Sequence, residues 1–260
     1  MTVAAHIVAP VVDANFITAC ASSAQAFKTA TLLKTLNVDA LITGEVGVGK
    51  KSLSKYILPN ADIISASNHD ELLIALQSVN KIIISDIELS PNIKKVLEIA
   101  GNNNIRVIAT AKSYFTNDFV DKFFSIKFEI PPLAQRPDDV NELIKKFTKE
   151  AALLFGSNNK FKINNFKPDL SQNSNSLRRQ VMIYYLLQDI NEQELMNIIE
   201  SYLFDKIGSN SDYKNLIYLY EAPLIKAGLN KFKSQLQLSD KLGLNRNTLR
   251  KKIAENAKYL

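Results

Sequence analysis

The sequence predicts an α/β fold in which a mostly parallel sheet carries a glycine-rich loop, followed by a helical subdomain and an all-α C-terminal unit. Three observations predict it. Short β-branched runs alternate with helical patterns over residues 1–135, as in consecutive βα units. A Gly-rich segment ending in lysine separates the first of these runs from a helix. The excess positive charge is confined to a helical C-terminus.

Residues 39–43, 61–65, 81–85, 106–111 and 125–129 read as strands. From Pro137 the period changes to that of a helix, with Asp138 and Asp139 acidic in its first turn and Val140, Leu143, Ile144 and Phe147 on one face. An Asn- and Ser-rich stretch at 156–176 interrupts the helices, and two more follow at 177–189 and 192–204. Residues 208–211 read as a linker. The expected organisation is therefore an α/β part at 1–135, a helical part at 136–207 and a separate helical unit at 208–260.

Composition excludes several classes. The chain has 260 residues, 46% hydrophobic and 22% charged, with no apolar run of bilayer length. Residues 1–12 lack a basic n-region and a full h-region, so no signal peptide is expected and the cytoplasm is the expected location, with no membrane partner. A single cysteine, Cys20, reads as a small packed residue, and with two histidines it offers no metal cluster. The net charge of +6 is unevenly placed. Residues 226–260 hold nine Lys or Arg against Asp240 and Glu255, which is +7 and leaves −1 for the preceding residues. That is the footprint of a chain that binds an anionic polymer.

In the last unit, residues 213–232 carry Leu216, Leu219, Tyr220, Pro223, Leu224, Ala227 and Leu229 on a wide apolar face that calls for a partner. A short helix at 234–242, a turn at Gly243 and a second helix opened by Asn245 follow. Leu249 and Ile253 point inward, so Arg246, Asn247, Arg250 and Lys251 face out, beside Thr248. Two helices joined by a tight turn, the second led by Arg and Asn, suit a DNA major groove. Arg reads guanine and Asn reads adenine, while Lys231, Lys233, Lys252 and Lys258 suit phosphates.

The segment from Glu221-Ala-Pro-Leu-Ile to Leu242-Gly-Leu-Asn-Arg-Asn-Thr-Leu-Arg-Lys-Lys-Ile253 resembles the Fis-type helix-turn-helix that ends NtrC-like enhancer-binding proteins. The resemblance implies a homodimer on double-stranded DNA, gripping palindromic sites. Gly44-Glu45-Val46-Gly47-Val48-Gly49-Lys50, followed by Lys51 and Ser52, sits in a strand-to-helix context, where loop N–H groups and a helix N-terminus hold phosphate. Three of the eight glycines fall here. This loop, Arg106-Val-Ile-Ala-Thr110 and Pro131-Pro-Leu-Ala-Gln-Arg-Pro-Asp-Asp139 resemble the AAA+ domain of sigma-54-dependent activators. The resemblance implies ATP or ADP as ligand, with Arg178 of the helical lid on the nucleotide.

The chain departs from that family where its chemistry resides. Lys51 replaces the usual Ser or Thr, and Ser85-Asp86 replaces the Asp-Glu pair that binds magnesium and activates water. Lys112 stands where an Asn is usual, and residues 115–123 contain no arginine finger. The Gly-Ala-Phe-Thr-Gly-Ala insertion that engages the sigma factor is absent, so sigma-54 is not an expected partner. Magnesium is left open, and Asp86 and Glu88 read as a solvated strand end. The expectation is a transcription regulator that acts by occupying its sites, not an enzyme and without ATP hydrolysis. The alternatives are a nucleotide-switched ATPase regulator and an adaptor that pairs with an AAA+ relative.

Overall fold

The computed structural model describes residues 16–156 and 166–260. Residues 1–12, read above for a signal peptide, lie outside the described residues, as does most of the first half of the 156–176 stretch. The chain forms two compact units, Met1–Asp189 and Ile190–Leu260.

In the first unit, α1 (Ala21–Thr35) precedes β1 (Ala40–Thr43), α2 (Lys50–Ile57), β2 (Ile63–Ser65), α3 (His69–Ala75) and β3 (Lys81–Ser85). Then come α4 (Ile93–Asn102), β4 (Arg106–Ala111), α5 (Asp118–Phe123), β5 (Ile126–Glu129), α6 (Pro137–Phe155) and α7 (Ser174–Leu187). The five strands form one parallel sheet in the order β2-β3-β4-β1-β5. Each strand falls within two residues of its expected position, because β1, β3 and β4, buried on both faces, read as apolar runs, and the edge strand β5 alternates apolar with charged residues.

The pleat divides those runs between two cores. Leu41, Ile82, Ile84, Val107 and Ala109 pack on one face with Leu72, Val96, Leu97, Val120 and Phe124 from α3, α4 and α5. Ala40, Ile42, Ile83 and Ile108 pack on the other with Ala26, Phe27, Ala30 and Leu33 of α1 and Leu53 and Ile57 of α2. A third core joins α6 to α7 through Val140, Leu143, Ile144, Phe147, Leu177 and Val181. Pro137 occupies the first helical position of α6, where its missing N–H costs nothing.

Asp139 is not simply an acid in a first helical turn. It is fully buried, and its Oδ2 accepts from Arg136 Nε at 2.6 Å, while its Oδ1 accepts from the backbone N–H groups of Ala19 and Cys20. Arg136, 2% exposed, also donates to the carbonyls of Val48 and Ile17. One buried ion pair thus ties the segment before α1 and the loop after β1 to the start of α6.

The second unit is helical: α8 (Glu192–Phe204), α9 (Asp212–Leu216), α10 (Tyr218–Phe232), α11 (Gln235–Lys241) and α12 (Arg246–Glu255). The separation at Asp189–Ile190 differs from the expected break near residue 208. Helix α8, read as part of the lid, falls in the same compact unit as the C-terminal residues. The expected single segment at 213–232 is two helices, with Pro223 inside α10. Ile225, Leu238 and Leu249, one each from α10, α11 and α12, are the buried centre of this unit, flanked by Leu229, Phe232, Leu242 and Ile253. With so small a core, Leu249→Ala is expected to cost about 2–5 kcal/mol. Chemical denaturation checks it: a loss within experimental error would mean that α12 is not anchored through Leu249.

Candidate functional site

Residues 44–50 run from the end of β1 into α2. Gly44, Gly47 and Gly49 all have positive φ, of 149°, 81° and 107°. At Gly47 a side chain would meet the Gln172 carbonyl, so glycine is required by both conformation and space. Val48 is buried in the core between α1 and the sheet, and its contribution to the site is its backbone. Lys50, 7% exposed, donates to the carbonyls of Gly44 and Glu45, the latter at 2.9 Å.

The loop is clamped by the start of α7. Ser174 donates to the Gly47 carbonyl through both its N–H (3.1 Å) and its hydroxyl (2.6 Å). Asn173 donates from Nδ2 to Val46 O and Glu45 Oε2, each at 2.9 Å, and accepts from Leu133 N at 2.7 Å. Asn173 is 1% exposed and sits at φ 52°. These two residues lie in the polar stretch read only as an interruption. No local signal marks them, since their partners lie more than 120 positions away in sequence.

A cavity of about 520 Å³ opens beside the loop, lined by Lys50, Lys51, Ser52, Asp86, Glu88 and Lys112 together with Val46, Gly47, Gly49 and Ser174. Asp86 and Glu88 are therefore cavity residues and not a solvated strand end. Asp86 adopts a left-handed backbone (φ 56°), its N–H donates to Thr110 Oγ1 at 3.0 Å, and its carboxylate lies 3.7 Å from Lys51 Nζ. Glu88 Oε1 accepts from Lys112 N at 3.3 Å, and its Oε2 is buried without a hydrogen-bond partner.

Burial holds the Lys50 ammonium below its ordinary pKa. Asp86 and Glu88 oppose that shift, and Lys112 and Lys51 add to it, so both of those lysines are close enough to repel Lys50. Arg178, expected on a nucleotide, makes a two-pronged contact with Glu150, with Nε 3.1 Å from Oε2, and lines a second hollow with Phe16, Arg136 and Phe147.

The residues around the loop do not suit magnesium in the usual way. Lys51 stands in place of a hydroxyl ligand, Ser85 is 1% exposed at the end of β3, and Asp86 faces an ammonium. Among the described residues no group of three or more metal-binding side chains occurs.

No family model matches the chain, and no curated protein matches it. Solved structures do. NtrX from Brucella abortus in complex with ATP is similar at 14% identity and a TM-score of 0.54, over 93% of this chain and 69% of that one. The same protein in complex with ADP is similar at 16% identity and a TM-score of 0.55, over 94% and 70%. These likenesses show a shared α/β fold with nucleotide-bound structures. The expectation that the chain is not an enzyme is not upheld by these neighbours, which were solved in complex with ATP and with ADP. The expectation of ATP or ADP as ligand gains support from neighbours holding both.

In the second unit, Asn245 caps α12 by accepting from Thr248 N at 2.8 Å, and Gly243 turns the chain at φ 64°. Arg246, Asn247, Arg250 and Lys251 are exposed along α12, and Thr248 is half-buried. No carboxylate pairs with Arg246 or Arg250 among the described residues, and Lys251 reaches Glu255 only at 3.9 Å. Lys231 and Lys233 are exposed at the end of α10. Lys252 is not a free phosphate contact, because it forms an ion pair with Glu221 of α10 that braces the unit internally. Lys258 lies over the Tyr259 ring. No helix among the described residues is long and apolar enough to cross a membrane.

Proposed function

We propose that the chain is a sequence-specific DNA-binding transcription regulator with a nucleotide-binding AAA+ domain. The observation that carries this reading is the unpaired cationic face of α12, held by the Asn245 cap and anchored by Leu249. Such a helix, preceded by α11 and a tight turn, enters a major groove, with Arg246, Asn247 and Arg250 on base edges and Lys231, Lys233 and Lys251 on phosphates. It acts by occupying its sites as a repressor, a local activator or a bending factor, and not through sigma-54.

The working form is a homodimer. No residue of helix α8 is fully buried, and the helix exposes Leu195, Met196, Ile198, Ile199, Tyr202 and Phe204; Tyr220 and Leu224 of α10 are exposed as well. Apolar surface on this scale is characteristic of a protein interface. In the first unit, the loop at 44–50 with Lys51, Ser52 and Arg178 holds ATP or ADP. Recovery of genomic DNA fragments by the purified protein, with and without ATP, tests the whole reading. Enrichment of a palindrome is the expected result, and no enrichment at moderate salt would sink it.

A second reading, an ATP-driven switch, is favoured by the carboxylates of Asp86 and Glu88 facing the cavity beside Lys50. Turnover that disappears in Lys50→Ala would establish it.

A further inference from the structure

Three lysines and two carboxylates line the cavity beside the loop, and one of the lysines stands where a ligand of the metal would be. In loops of this kind the hydroxyl after the lysine and a carboxylate at the end of a neighbouring strand bind the metal, which then neutralises the phosphate oxygens. Here the first position is Lys51 and the second is Ser85, whose side chain is buried.

Both carboxylates that reach the cavity have a partner on a neighbouring residue. Asp86 lies 3.7 Å from the Lys51 ammonium, and Glu88 accepts from the backbone of Lys112. Magnesium demands near-octahedral oxygen coordination, and an ammonium on one of its candidate ligands opposes its entry electrostatically. The buried Oε2 of Glu88 has no hydrogen-bond partner, and one carboxylate oxygen is too few for a metal site of its own.

Lys50, Lys51 and Lys112 line the same cavity from the loop, from the first turn of α2 and from the end of β4. Lys51 is attached to the solvent side, its side chain 61% exposed, and so is free to swing onto a ligand. We propose that Lys51, with Lys50 and Lys112, supplies the charge that a divalent cation would otherwise supply, so that the site binds the phosphate chain of a nucleoside di- or triphosphate without magnesium. A phosphate chain among the three ammoniums also relieves the repulsion that Lys51 and Lys112 exert on Lys50. This inference rests on the nucleotide-site reading given above.

The test is the affinity of the full chain for ADP and for ATP, measured by calorimetry in EDTA and again in excess magnesium. Wild-type affinities that agree within about twofold between the two conditions are expected. Lys51→Thr, a change at an exposed side chain that restores the usual hydroxyl, is expected to weaken binding in EDTA about tenfold or more, the scale of a lost charged hydrogen bond. Part of that loss should return with magnesium. A wild-type protein that binds in magnesium but at least tenfold more weakly in EDTA overturns the inference and leaves the nucleotide site standing. An absence of binding in both conditions overturns the nucleotide site itself, and the inference with it.

Discussion

Replacing Arg246 or Arg250 by alanine is expected to weaken specific DNA binding by about 1–3 kcal/mol each, a loss of roughly 5- to 150-fold, and to relax the base preference at the position each one reads. Both side chains project from α12 without a carboxylate partner among the described residues, so truncation removes no internal ion pair and the unit should stay folded. Lys231→Ala and Lys233→Ala, at the exposed end of α10, supply the contrast. They should weaken every sequence alike and lower the salt dependence by about 0.9 in log–log slope per phosphate contact. Titration of a bound palindrome and of scrambled DNA over a range of salt separates the two behaviours. If both arginine variants keep the wild-type site preference, α12 is not the recognition helix.

The second large effect is expected in the first unit. Asp139→Ala leaves the Arg136 guanidinium buried without its counter-ion and two backbone N–H groups without an acceptor. Breaking a buried pair by removing one partner costs about 3–5 kcal/mol, and the unpaired charge is the main reason. Replacing both residues with apolar ones, Arg136→Met with Asp139→Leu, should recover part of that loss. Recovery is incomplete because the carbonyls of Val48 and Ile17 lose their donor. Urea unfolding of the wild type and these two variants measures this. A single-variant loss under about 1 kcal/mol would show that water reaches the pair and that the network does not hold the loop.

Much of this architecture is written in local sequence. Five strands marked by short apolar runs or by alternation, a Gly-rich turn that can take positive φ, and a proline at the first position of α6 each follow from neighbours within a few residues. The same is true of α12. Asn245, Leu249 and Ile253 define its cap and its buried face, which leaves Arg246, Asn247 and Arg250 exposed.

What the chain alone could not convey are the pairings between distant residues. Asp139 reads as one more acid at a helix start until Arg136, Ala19 and Cys20 surround it. Lys252 reads as one more basic residue until Glu221 claims it, and Asn173 and Ser174 read as loop until they grip the carbonyls of Val46 and Gly47. The placement of Asp86 and Glu88 in the cavity belongs to the same class, since their surroundings come from α2 and β4 as well as β3. Periodicity, turn chemistry and capping act over one or two turns of chain, so the strands, the glycine-rich loop and the exposed basic helix are legible from local residues. Burial and ion pairing depend on which distant segments meet, so which charges are internal braces and which remain for a ligand emerges only once the chain is folded.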